Sequence, residues 1–84
     1  MNYELTVHAR ESLNKRRNIR LEWLERVIEQ PQLIEVDAMD SDLEHRLGKI
    51  DEFEGRVLRV IVNPQLEPIR VITAFFDRAM RGKL

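Results

Sequence analysis

The spacing of apolar and polar positions divides the chain into two helical segments followed by four extended ones. From Val7 to Arg17 the apolar residues Ala9 and Leu13 lie four apart, and a pitch of about 100° per residue puts them on one helical face. Arg16 falls angularly between them, with His8 and Ser12 on the flank, so the stripe is narrow and has a cation in its middle. Thr6 stands where an N-cap belongs, and Leu5 before it suits a hydrophobic staple. After Asn18-Ile19-Arg20 a second helix is predicted over Leu21 to Glu29. Leu21, Trp23, Leu24, Val27 and Ile28 give it a wide apolar face, and Glu22, Glu25, Arg26 and Glu29 fill the other. Pro31 has no N–H to donate and ends it.

Beyond Pro31 the period changes to two. Leu33-Ile34-Glu35-Val36 reads as a short strand. Asp37 to Asp42 is a polar turn, and Leu43 to Ile50 alternates with Leu43, His45 and Leu47 on one face. Asp51 to Gly55 is a second turn. Arg56 to Val62 is the clearest strand, rich in β-branched residues. A prolyl loop from Asn63-Pro64 to Glu67-Pro68 leads to Ile69–Phe76, which is apolar on both faces and therefore central. Asp77 to Leu84 is a basic tail with room for one helical turn. The resulting expectation is an α+β fold of order ααββββ, two N-terminal helices packed on a roughly four-stranded antiparallel sheet.

Eighty-four residues fit one domain, spanning 1–84. Absence of cysteine excludes a disulfide framework and thiolate metal sites, and fits a reducing, cytoplasmic compartment. No apolar run reaches the roughly 18 residues of a membrane span, and the start Met1-Asn2-Tyr3-Glu4 is unlike a secretory signal. The net charge of −1 argues against strong nonspecific nucleic-acid binding, but the charge is unevenly spread. Residues 35–54 hold two basic and eight acidic groups, a balance of −6. Residues 55–84 hold six basic and two acidic groups, a balance of +4. If RNA binds, it is therefore expected near Arg56, Arg59, Arg70, Arg78, Arg81 and Lys83, away from the acidic middle. The plainer alternative is a mixed, solvated surface.

Several chemistries lack their residues. There is no glycine-rich phosphate loop, no HExxH pair and no serine nucleophile elbow. Two histidines far apart in sequence make no metal site, so neither a metal nor a cofactor is expected. What remains are polar residues that interrupt apolar patterns. Arg16 is either an internal ion-pair member or a guanidinium held over a cleft to grip phosphate. His8 is either an exposed histidine at a helix start or a general acid–base. His45 is a structural histidine or a catalytic one. Arg59 shares a strand face with Val57 and Ile61, and Thr73 with Val71 and Phe75. Both are accounted for by a solvated sheet face and β-propensity, or by a site in mid-sheet. A metal-free ribonuclease needs a base for the ribose 2′-hydroxyl, an acid for the leaving 5′-oxygen and cations for the phosphorane, and these residue types permit it.

The stretch Thr6-x-His8-Ala9, with Arg16 and Ile19 following, resembles the opening of a family of small bacterial proteins. The closing runs Gly55-Arg56-Val57-Leu58-Arg59-Val60, Arg70-Val71-Ile72-Thr73 and Phe76-Asp77-Arg78 resemble the same family in the same order. That family is similar to BrnT-like toxins and more distantly to RelE/ParE toxins of the barnase–colicin–RelE-like fold. The resemblance implies a metal-independent endoribonuclease of a toxin–antitoxin pair, with an RNA substrate and a cognate antitoxin as partners. It places His8, Arg16, Arg59 and Thr73 in the site, and His45, Arg46 and Arg78 as weaker members. A non-catalytic protein- or nucleic-acid-interaction module is the competing expectation, with an apolar patch around Trp23 or Phe75-Phe76 as its mark.

Overall fold

The computed structural model describes residues 2–15 and 18–84. The chain runs β1 (Tyr3–Leu5), α1 (Val7–Lys15), α2 (Leu21–Glu29), β2 (Leu33–Val36), β3 (Glu44–Ile50), β4 (Arg56–Asn63) and β5 (Ile69–Phe76). Short 3₁₀ turns at Asp51–Phe53 and Arg78–Met80 follow β3 and β5. The sheet has five strands in the order β1-β5-β4-β3-β2, not the four expected. It is also mixed rather than wholly antiparallel, because β1 pairs with β5 in parallel. The other pairings are antiparallel hairpins, as short loops dictate. Three residues are too few for alternation to stand out, so the sequence pattern shows β1 only as a lead-in to the first helix. In β1, Tyr3 and Leu5 pack against the core while Glu4 turns away to meet Arg70 at 3.7 Å.

Both helices cover one face of the sheet. Ala9 from α1 and Trp23, Leu24, Val27 and Ile28 from α2 share a core with Leu58, Val60 and Val62 of β4 and with Val71 and Ala74 of β5. Trp23 is the broadest contributor. Its ring lies 5.6 Å from that of Phe53 and 6.3 Å from that of Phe76, at geometries aromatic pairs favour. The apolar patch expected around Trp23 therefore does not exist at the surface, because the indole is buried. At Gly48 of β3 a Cβ would lie 3.0 Å from Val27 Cγ2, a tight contact that would press the Val27 side chain back, so glycine here suits the close approach of α2 to the strand.

Thr6 closes the start of α1. Its Oγ1 accepts from the Ala9 N–H at 3.0 Å and donates to the Ile72 carbonyl at 3.2 Å, tying helix to sheet. The Thr6→Ala variant is expected to lose about 1–2 kcal/mol of stability in urea denaturation, and an unchanged midpoint would show the cap to be idle.

The register between β4 and β5 slips at Ile61/Val62, where Ile61 faces Thr73 and Val62 faces Val71. Ile72 is the extra residue, and its carbonyl is the one Thr6 uses. Thr73 is thereby returned to the face away from the helices, alongside Ile61 and opposite in sense to the core residue Ala74.

Candidate functional site

Strand parity divides the polar candidates between the two faces of the sheet. In β4, Leu58, Val60 and Val62 point to the helices, so Arg59 and Ile61 point to the helix-free face. Pairing carries this across the sheet. His45 sits opposite Ile61 and Glu35, Leu47 opposite Arg59, and Phe75 opposite Arg59 on the other side. Glu35, His45, Arg59 and Thr73 thus share one surface.

On that surface the charged groups form a continuous hydrogen-bonded chain. Asp37 Oδ1 lies 2.6 Å from His45 Nε2, and His45 Nδ1 lies 2.7 Å from Arg59 Nη1. A guanidinium only donates, so Nδ1 must be the acceptor and Nε2 must carry the ring proton toward Asp37. The tautomer is assigned from this bonding pattern. Arg59 also donates through Nε to Asp77 at 2.8 Å and through Nη1 to Glu35 at 3.2 Å. His45 and Arg59 are largely covered, with side chains 17% and 14% exposed, so these bonds are sheltered from water. Counting one guanidinium against Glu35, Asp37 and Asp77, with His45 neutral, the cluster carries −2.

Asp37 is a hub in its own right. Its Oδ2 accepts from the Met39 and Asp40 amides, each at 3.0 Å, which folds the β2–β3 turn. Bonding first to His45 and then to those amides holds its carboxyl below the usual carboxylate range. On the far side of the domain the two-pronged contact from Arg26 brings Glu52 down to about 2. Depressed carboxylates stabilise the folded state above their unfolded values, and that contribution disappears as pH falls through the folded ones. Stability is therefore expected to fall between about pH 4.5 and pH 2. The Asp37→Asn and Glu52→Gln variants should each flatten that slope in acid titrations followed by circular dichroism, and a variant with the slope of the parent would contradict the assignment.

At one end of the sheet the start of β4, the end of β5 and the Arg78–Met80 turn enclose a cleft of about 280 Å³. Arg56, Val57, Phe76, Asp77, Arg78 and Arg81 line it. Arg56 lies over the Phe53 ring at 5.2 Å, Arg81 reaches Glu54 only at 3.9 Å, and no carboxylate partner for Arg78 is found among the described residues. Asp77 joins this cleft to the face beyond it, since its other partner is Arg59.

The remaining candidates lie elsewhere. His8 is exposed on α1, an element packed on the helix side, and is not brought to His45, Arg59 or Thr73. Arg16 lies outside the described residues. Arg46 also faces the helix side, donating to Glu44 and to the Ile28 carbonyl, both at 2.7 Å, and so closes the C-terminal end of α2. Glu35, Asp37 and Asp77 are site members that the sequence reading misses. Their parity with His45 and Arg59 is visible in the sequence, but the register that joins them is not. Among the described residues no group of three or more His, Cys, Asp or Glu is placed to hold a metal ion, and no helix is long and apolar enough to cross a membrane.

The model of a family described as Domain of unknown function (DUF4258) matches residues 5–76. The chain belongs to the DUF4258 family. The matched stretch begins in β1 and ends with β5, so both helices and nearly the whole sheet belong to the family pattern. Asp77, Arg78 and Arg81 lie just beyond it. No curated protein and no solved structure matches the chain.

Proposed function

We propose that this DUF4258 chain is a cytoplasmic, toxin-like endoribonuclease of the barnase–colicin–RelE-like fold, held in check by a cognate antitoxin and working without a metal. The observation that carries the reading is the chain Asp37–His45–Arg59–Asp77 on the helix-free face, running into a cleft with three arginines. A single RNA strand laid across that face and into the cleft at its end would set phosphates against Arg78 and Arg81, with Arg56 reaching the same cleft from the helix side. Arg59, turned from His45 toward the scissile phosphate, would neutralise the developing phosphorane. That turn uncovers the Nδ1 lone pair, which takes the proton of the ribose 2′-hydroxyl while Asp37 steadies the other ring nitrogen. The 2′-oxygen bonds to phosphorus, the bond to the 5′-oxygen breaks, and that oxygen leaves with a proton from solvent. The products are a 2′,3′-cyclic phosphate and a 5′-hydroxyl. Thr73, on the same face, is a further contact for the substrate.

One observation favours a second reading, a non-catalytic interaction module of the same fold. Both nitrogens of His45 are already bonded, and Arg59 is met by two carboxylates. Tightly regulated expression separates the two. Under the first reading, growth arrest with fragmented RNA follows induction of the wild type and not of a His45→Ala/Arg59→Lys variant. Soluble wild type that leaves growth and RNA intact would leave the interaction module standing.

A further inference from the structure

We infer that the free edge of β2 is a docking site for a basic polypeptide segment that adds to the sheet as a sixth strand. Among the described residues no strand pairs with the outer side of β2. The Asp37 N–H donates to the Leu43 carbonyl, which makes that pair hydrogen-bonded. Antiparallel alternation then makes Glu35/His45 and Leu33/Leu47 the hydrogen-bonded pairs, and directs the N–H and C=O of Ile34 and Val36 outward. The same two residues are 51% and 68% exposed, and Met39 in the following turn is 94% exposed. Unpaired backbone groups and uncovered apolar side chains coincide on one short edge, the combination strand addition uses.

Charge decides what covers it. Beside this edge stand Glu35 of β2 and Asp37 and Asp40 of the turn that follows it, whereas Glu44 is on β3 and Asp42 accepts from Gln65 Nε2 of the β4–β5 loop at 3.2 Å. Three of them meet a partner on the chain, Glu35 with Arg59, Asp37 with His45 and Glu44 with Arg46. No cationic partner for Asp40 is found among the described residues, and it is exposed. A second copy pairing edge to edge about a two-fold axis runs antiparallel and would set Glu35 of one copy against Glu35 or Asp37 of the other, which repels. An extended segment alternating apolar and basic residues satisfies all three features. Its backbone completes the ladder, its apolar residues cover Ile34 and Val36, and its cations fall on the other face beside Glu35, with Asp40 in the turn beyond. The edge shares Glu35 and Asp37 with the His45–Arg59 face, but its outward backbone groups and Ile34 and Val36 take no part in that cluster, and the inference stands whether or not the chain cuts RNA.

The test uses the whole chain, ¹⁵N-labelled, with two end-blocked decapeptides as probes, one alternating valine with arginine and one alternating valine with glutamate. The arginine peptide is expected to shift amide signals confined to residues 33–44, and to bind at least tenfold more tightly than the glutamate peptide. The Val36→Pro variant removes an outward N–H while sparing the inward ladder, and should weaken binding at least tenfold with the rest of the spectrum retained. An Asp40→Lys variant, altered only at one exposed turn position, should cut the preference for arginine at least threefold. No binding, shifts centred elsewhere, or equal affinity for the two peptides would overturn the inference. Concentration-dependent dimerisation lost in Val36→Pro would overturn it too, by assigning the edge to a second copy.

Discussion

The Trp23→Ala variant is expected to lose about 3–5 kcal/mol of stability, enough to leave a substantial unfolded fraction at room temperature. For 84 residues the total is on the order of 4–13 kcal/mol, so one core aromatic is a large share. Trp23 fills the space where α2 meets the Asp51–Phe53 turn and the end of β5, and its removal leaves Phe53 and Phe76 facing a void. Trp23→Phe keeps a ring there and should recover more than half of the loss. Urea denaturation decides it, and a loss below about 1 kcal/mol for the alanine variant would mean that the triad of rings is not a centre of packing.

The second large effect belongs to Arg59. Among the described residues its guanidinium is the one Arg or Lys group paired with Glu35, Asp37 or Asp77 on the helix-free face. The Arg59→Ala variant leaves the sheltered Asp77 carboxylate with the Ala79 N–H but without its charged partner and removes the donor to His45, at an expected cost of about 2–4 kcal/mol. Arg59→Lys should recover only part, because an ammonium lacks the fork that reaches Asp77 and His45 together. The Arg59→Ala/Asp77→Asn double variant should lose less than the sum of the singles, since a neutral amide in place of the Asp77 carboxylate leaves no charge stranded. Strict additivity in that cycle would show Arg59 and Asp77 to be energetically independent.

Much of the fold was legible because long elements announce their period. The bounds of α2, β2 and β5 agree with the hydrophobic pattern residue for residue, since Pro31 and the prolyl loop punctuate them. The strand β1 was not legible, because Tyr3–Leu5 is three residues long and its pairing with β5 spans the chain. The candidate site was half legible. Alternation placed His45 with Leu47, and Arg59 with Ile61, on common faces, but Leu47 is buried while belonging to the helix-free side. Burial and face are therefore not the same reading in a sheet whose far side is also partly covered. The set joined by hydrogen bonds, Asp37, His45, Arg59, Asp77 and Glu35, depends on three registers, and pairing register is not written in any one strand. His8 stood out as a histidine on a helix, yet α1 lies on the other side of the sheet, a matter of packing that helical periodicity does not reveal.

The measurement that tests the central claim most directly is cleavage of a short single-stranded RNA by the purified chain in the presence of EDTA, with the ends of the products identified. The expected result is a 2′,3′-cyclic phosphate at each cut, no cleavage where the preceding sugar is 2′-deoxy, and a rate lowered at least about 100-fold in His45→Ala and in Arg59→Lys, both folded. Cleavage at the wild-type rate in His45→Ala, or none by a folded wild type, would contradict it.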